Sequence, residues 1–274
     1  MTAPQRSALS SQQSALKVGV QLHPQHCTYQ QFRDAACRME ASGVDSIWNW
    51  DHFYPLYGDP DGPALEGYTV LAALAEATSR ATIGCMVTCN SYRNPALLSK
   101  MATTIDHISD GRFILGIGAG WFEREYDDFG YEFGTATTRL HDLAAALPII
   151  KEHWAKDNPP PVRGTIPILI GGEGEKITLR ITAQYADAWN GFGGVDNWKR
   201  KNRVLDDWCQ KLGRDPRAIE RTASIGTEDL AHLDALADAG CTHVILGFGP
   251  PFDAKPVERL VAWRDQRQRA GARA

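Results

Sequence analysis

The sequence predicts an α/β fold of the (β/α)8 TIM-barrel type, eight parallel strands alternating with eight helices. Short β-branched or apolar runs alternate with amphipathic helical stretches eight times in 274 residues, which is the size and pattern of a closed barrel. An open doubly wound sheet shares that repeat pattern, but its dinucleotide-binding form carries G-x-G-x-x-G in the first strand-to-helix turn. Here that turn is Gln21-Leu22-His23-Pro24-Gln25-His26, and the barrel is preferred.

Strands are expected at 16–22, 46–50, 82–88, 112–118, 166–170, 188–190, 221–225 and 243–247. Short, nearly continuous apolar runs suit strands covered on both faces. Helices are expected at about 28–42, 66–79, 94–109, 138–155, 174–186, 195–212, 227–239 and 254–269. In the second of these, Leu71, Leu74, Ala75 and Thr78 share one face, as a core-facing helix requires. Asn94-Pro95 supplies the third with a cap and a proline at its first turn. Gly43, Gly111, Gly213 and Gly240 stand where helices should stop.

Composition narrows the function classes. Hydrophobic residues make up 43% and charged residues 23%, the balance of a soluble globular enzyme-sized protein. A net charge of −4 gives nucleic acid or an anionic membrane no attraction. The basic end (Arg264, Arg267, Arg269, Arg273) is short and reads as a solvated helix terminus. Of the six cysteines only Cys85 and Cys89 lie close in sequence, which suggests neither a zinc site nor a disulfide framework and favours a reducing cytoplasm. Residues 1–15 are polar without an apolar core, so a disordered tail is expected there rather than a signal peptide. No apolar run approaches the roughly 18 residues of a membrane span. No linker divides the rest, so 16–274 is expected to be one domain. Asn158-Pro159-Pro160-Pro161 reads as a stiff connection into the fifth strand.

The run Arg112-Phe-Ile-Leu-Gly-Ile-Gly-Ala-Gly-Trp121 leads from an apolar strand through glycines to an aromatic residue and the acidic cluster Phe122-Glu123-Arg124-Glu125-Tyr126. Without Cβ atoms, Gly118 and Gly120 let backbone lie close to a flat ligand. Any strand leaving a core can end in glycine, so the recurrence of such ends is what counts. In a barrel the carboxyl ends of the strands face one mouth. In order they are His23; Asp51-His52; Thr88 to Asn90; Gly118 to Trp121; Gly171 to Gly174; Trp189-Asn190; Gly226; and Gly247 to Gly249.

The fifth end runs into a helix, where the N–H groups of Gly171, Gly172 and Gly174 and the charge of Lys176 could hold a phosphate. The alternative is a tight turn in which Glu173 and Glu175 complement the helix dipole and repel an anion. His52 follows an apolar strand and offers an imidazole able to exchange a proton; a backbone-satisfied loop histidine is the bland alternative. Asp51 and His52 are neighbours on a strand and should point apart. His23 and His26 are weaker candidates, and His107 reads as helix surface. No H-E-x-x-H or H-x-H pattern supports a metal, and no G-x-S-x-G supports a serine hydrolase.

Five motifs in order carry a resemblance. Trp50-Asp-His-Phe53, Tyr92-Arg-Asn-Pro-Ala-Leu-Leu98, Asp106-His-Ile-Ser-Asp-Gly-Arg112, Gly116-Ile-Gly-Ala-Gly-Trp121 and Ile170-Gly-Gly-Glu-Gly-Glu-Lys176 resemble the bacterial luciferase-like superfamily. Within it they are most similar to the actinobacterial coenzyme F420-dependent oxidoreductases, a likeness sharpened by Asp51 to Leu56 and Gly58 to Pro63 and running from about residue 17 to 192. The resemblance implies a luciferase-like barrel holding a deazaflavin, or alternatively FMN, at its mouth. It implies a bulge in strand three with a non-proline cis peptide at Met86-Val87, within Gly84 to Thr88, behind the ring. His52 matches the family's catalytic or anion-stabilising histidine. Asp51, Met86, Val87, Thr88, Asn90, Gly118, Ala119, Gly120 and Trp121 are implied near the ring, with Trp121 also a possible substrate wall. Gly171, Gly172 and Gly174 are implied at the phosphate, with Glu173 between them also implied as cofactor-binding.

The activity implied is hydride transfer between the deazaflavin C5 carbon and a small alcohol, ketone or activated alkene, with His52 moving the coupled proton. A reduced-FMN monooxygenase is the alternative, and a non-catalytic flavin-binding barrel a more distant one. The chain also departs from the family. The stretches 154–166 and 218–226 are shorter than in most relatives. Leu56 stands where glucose-6-phosphate-type relatives carry tryptophan, and Trp121 near where they carry glutamate, so sugar-phosphate specificity does not transfer. Partners are expected to be small molecules, with a homodimer possible.

Overall fold

A computed structural model of the protein describes residues 15–271. All but one residue of the expected tail, and Arg273, lie outside that range. Nine parallel strand segments run β3-β2-β1-β9-β8-β7-β6-β5-β4, and a β3–β5 pairing closes the ring. The segments are β1 (Lys17–Leu22), β2 (Ser46–Asn49), β3 (Thr82–Cys85), β4 (Thr88–Cys89), β5 (Phe113–Gly118), β6 (Ile168–Gly171), β7 (Ala188–Gly191), β8 (Glu220–Ile225) and β9 (His243–Phe248). β3 and β4 are two halves of one barrel strand. β3 pairs with β5 at Ile83 and Gly84, and β4 pairs with it at Thr88 and Cys89. The expected strand at 82–88 is therefore interrupted, and the Met86–Val87 peptide at the interruption is cis.

The helices are α1 (Tyr29–Ala41), α2 (Gly67–Ala77), α3 (Pro95–Ile108), α4 (Glu123–Phe129), α5 (Ala136–Lys156), α6 (Thr178–Tyr185), α7 (Val195–Lys211), α8 (Leu233–Asp238) and α9 (Lys255–Gly271). Thr28 and Gln31 form a reciprocal capping box on α1, and the Asn94 side chain accepts from Ala96 N and Leu97 N at the start of α3. Each satisfies amides that a helix start leaves unpaired. The four expected glycine stops all have positive φ, from 68° at Gly213 to 98° at Gly240. Three expectations are corrected. α6 starts at Thr178 rather than 174, and the helix expected at 227–239 is a short 3-10 turn (Thr227–Ala231) followed by α8. α4, between the glycine loop and α5, was not expected at all.

Alternation along the strands divides the core into layers. Val18, Val20 and Leu22 of β1 point outward, against Phe32 and Ala36 of α1 and Val257 and Leu260 of α9. Ile83, Leu115, Ile117, Ile168 and Ile170 do the same against α2, α3 and α5. Inside the barrel, Trp48 packs with Met86, Leu169, Ala188 and Ile245. Trp48 fits because β3 and β5 carry glycine beside it: a Cβ on Gly84 would lie 2.5 Å from its ring and 2.7 Å from Ile114 O. Below it His243 Nε2 meets Ser46 Oγ at 2.8 Å, and burial lowers the His243 pKa from 6.5 to about 4. This plug closes the lower barrel and leaves open the mouth at the strands' carboxyl ends.

Candidate active site

A cavity of about 490 Å³ opens at that mouth, lined at or near the ends of every barrel strand except β9, by Gln21, His52, Val87, Gly118, Gly171, Asn190 and Ser224 among others. This volume lies within the range of small-molecule and cofactor sites. Its floor is Val87, which follows Met86 at the break between β3 and β4. A Cβ on Gly118 would come within 2.8 Å of Val87 Cγ2, and one on Gly171 within 2.7 Å of Val87 Cγ1. Two strand ends must therefore lack side chains for Val87 to rise between them. The rim is aromatic: Trp121 is 61% exposed and Phe192 is 49% exposed.

His52 stands on the wall. Its Nδ1 lies 3.0 Å from Glu125 Oε2, and its ring meets those of Trp50, Trp121 and Phe122 edge-on at 5.6–5.9 Å between centroids. Glu125, on α4, has no exposed side-chain surface. It also accepts from Phe53 N at 2.5 Å, Tyr54 N at 3.2 Å and the Tyr92 hydroxyl at 2.5 Å. Burial pushes the Glu125 carboxyl up, but His52, Tyr92 and Phe53 outweigh it and hold the group below its usual range. It stays ionised at neutral pH.

Asp51, which like His52 lies just beyond β2, turns its carboxylate from His52 towards Arg93 and β4. Its carboxylate takes Arg93 Nη1 at 2.6 Å, Arg93 Nη2 at 2.9 Å and Cys89 N at 3.0 Å. Arg93 also reaches Glu66 at 2.6 Å and lies over the Tyr68 ring. Burial opposes the guanidinium charge, yet the Asp51 and Glu66 carboxylates raise its pKa. Asp51 thus ties β4 to the end of β2 and aims the following residue, His52, at the cavity.

Residues 10–270 match the family described as Luciferase-like monooxygenase. The chain belongs to this family. The F420-dependent glucose-6-phosphate dehydrogenase of Amycolatopsis mediterranei (strain U-32) is 33% identical over 144 residues, 52% of this chain and 43% of that protein. The phthiodiolone/phenolphthiodiolone dimycocerosates ketoreductase of Mycobacterium bovis (strain BCG / Pasteur 1173P2) is 32% identical over 71% of this chain and 60% of that one. The chain therefore spans less than two thirds of the length of either. An F420-dependent secondary alcohol dehydrogenase, solved in complex with an F420-acetone adduct, superposes with a TM-score of 0.80 at 17% identity. That likeness covers 90% of this chain and 97% of the other, and shows a shared fold.

In this luciferase-like barrel, His52, Asp51, Met86, Val87, Thr88, Gly118, Ala119, Gly120, Trp121, Gly171 and Gly172 all line the cavity. Asn90, Glu173 and Gly174 do not. Asn90 begins a 3-10 turn and is buried, and among the described residues its Oδ1 has no partner. Glu173 accepts from Phe192 N and Asn197 Nδ2, each at 2.8 Å, and so braces the next strand end instead. Gly174 leaves room for Thr178, which begins α6 and lines the cavity in its place. Glu175 is paired with Lys201 at 2.9 Å and with Arg200, which relieves the repulsion expected against an anion. Lys176 is exposed away from this lining. The Thr88 hydroxyl is committed to Tyr68 at 2.9 Å.

His23 is stacked on Trp50 with centroids 4.0 Å apart and bonds the Tyr57 hydroxyl; burial lowers its pKa to about 4. His26 contacts Tyr57 O at 2.9 Å. Neither lines the cavity. Glu125, Tyr92, Arg139 and Gln21 were missed from the sequence. For Glu125 a signal existed, the acidic cluster after the glycine loop, but nothing singled out this carboxylate within it. Among the described residues no group of three or more His, Cys, Asp or Glu could hold a metal ion, and no helix is long and apolar enough to cross a membrane.

Proposed function

We propose that the protein is a coenzyme F420-dependent oxidoreductase acting on an apolar alcohol, ketone or activated alkene. The observation that carries the reading is the cavity floor. Val87, raised between two glycines that tolerate no Cβ, makes a narrow apolar support suited to a flat ring, with His52 on the wall beside it. The names of the Amycolatopsis relative and of the alcohol dehydrogenase neighbour support the cofactor. Val87 and the backbone of Gly118 to Gly120 would hold the ring; Gly171, Gly172 and the start of α6 at Thr178 would hold its phosphate-bearing tail. When bound, the deazaflavin supplies hydride exchange at its C5 carbon.

The chain's own tasks are to bind, orient and move a proton. His52 gives or takes the proton coupled to the substrate oxygen. Trp121, Phe192 and Leu56 wall the substrate side. Among the described residues no lysine lines the cavity, and Arg139 is committed to Gly120 O at 3.1 Å and Phe133 O at 2.7 Å. A phosphate-bearing sugar would find no free cation there, which directs the reading to apolar substrates.

A reduced-FMN monooxygenase is the second reading, supported by the monooxygenase in the family's description and by a Baeyer-Villiger monooxygenase solved with FMN that shares the fold. Turnover with F420 and a panel of ketones, alcohols and enals tests the first. His52→Ala should lower kcat/KM by about 10²–10⁴-fold with cofactor affinity unchanged; full turnover with normal binding would remove His52 from proton transfer.

A further inference from the structure

We propose that Glu125 is the positioning residue of this site: it holds the His52 proton on Nδ1 and so presents the Nε2 lone pair to the cavity. The proposal rests on His52 being the proton-transfer group of the function proposed above. Four donors converge on the buried carboxylate, two on each oxygen. Oε1 faces the Phe53 and Tyr54 amides, which can only donate. Oε2 faces the Tyr92 hydroxyl and His52 Nδ1. An ionised carboxylate accepts and never donates. At 3.0 Å, an Nδ1 lone pair would face an oxygen lone pair at a separation too short for a water to stand between them. The proton therefore belongs on Nδ1 in the neutral ring, and the ring's edge contacts with Trp50, Trp121 and Phe122 oppose the flip that would exchange the nitrogens.

The chemical consequence is directional. In alcohol oxidation the substrate O–H bond would break with its proton going to Nε2, and a bound oxidised deazaflavin would supply the acceptor for the hydride leaving the carbon. The resulting imidazolium has both N–H groups matched, one by Glu125 and one by the product carbonyl. In reduction the same proton returns from Nε2 to the substrate oxygen as hydride arrives at carbon. Glu125 touches neither substrate nor cofactor in this scheme.

Glu125→Gln makes the test sharp. Its amide carbonyl must stay on the Phe53 and Tyr54 amides, which places the NH2 group against His52. Nδ1 must then accept, and the proton moves to Nε2. Long-range ¹H–¹⁵N spectra of histidine-labelled, cofactor-free protein, recorded on the neutral imidazole, read the tautomer directly. We expect Nδ1–H in the wild type, Nε2–H in Glu125→Gln, and Nδ1–H retained in Tyr92→Phe. Turnover of Glu125→Gln should fall on the order of 10²-fold with cofactor affinity unchanged.

Nε2–H in the wild type, or the wild-type tautomer in Glu125→Gln, would overturn the proposal. Should Glu125→Gln fail to fold, the wild-type and Tyr92→Phe spectra decide it, since Nε2–H in either contradicts it. The spectra need no cofactor. A correct tautomer in a protein that binds no F420 would therefore sink the proposed function and leave this assignment standing.

Discussion

Replacing Asp51 with alanine should cost about 4 kcal/mol of stability although no apolar core residue is touched. Asp51 has no exposed side-chain surface and Arg93 is only 9% exposed, so the substitution strips a buried cation of its two-pronged partner. Removing one member of a buried pair typically costs about 3–5 kcal/mol. Glu66 remains on Arg93 at 2.6 Å but is itself 38% exposed, which places the loss near the low end, about 3 kcal/mol. The Cys89 amide, left without its acceptor in a buried strand, adds about 1 kcal/mol. Urea unfolding followed by circular dichroism, read as a midpoint shift at constant m, measures the sum. The double variant Asp51→Ala/Arg93→Met should regain most of the loss, because the buried charge leaves with its partner. A loss below about 1 kcal/mol, or a double variant no more stable than the single, would refute the claim that this pair anchors β4.

Two further outcomes follow from burial and close packing. His243 and His23 are both held neutral by burial, their pKa lowered from 6.5 to about 4. The unfolded chain takes up these protons first, so stability should fall as pH drops from 6.5 towards 4, by up to about 3 kcal/mol for His243. Denaturant midpoints across that window test this, and His243→Gln should flatten the slope. Gly118→Ala should destabilise by about 1–3 kcal/mol through overpacking against Val87 and weaken cofactor binding. Val87→Ala in the same chain should restore the stability, and a double variant showing no such coupling would contradict the packing account.

Much of the barrel was legible because its strands are buried on both faces, so short apolar runs such as 16–22 and 243–247 stood out between amphipathic helices. Local signals also held where one residue type has one use, as at the Asn94-Pro95 cap and the positive-φ glycine after each of four helices. What failed was shorter than a helical period can report. α4 has only seven residues, and the segment before α8 carries helical spacing but forms a 3-10 turn. At the cavity, Gly118 and Gly171 were readable because what each supplies beside Val87 is the absence of a Cβ. Partners were not. His52 meets Glu125 across 73 positions, and Asp51 meets Arg93 across 42; only closure of the barrel brings them together. The Glu173 carboxylate turns to the β7–α7 connection, where Phe192 N and Asn197 Nδ2 hold it, partners that its own motif does not report.

The most direct measurement is a titration of the purified protein with oxidised coenzyme F420 and, separately, with FMN, followed by absorbance and fluorescence polarisation. The account predicts saturable one-to-one binding of F420 with FMN much weaker, and loss of affinity in Gly118→Ala. A preference for FMN would transfer the cavity to oxygen-dependent chemistry, and failure to bind either would contradict the reading of Val87 and its flanking glycines as a ring support.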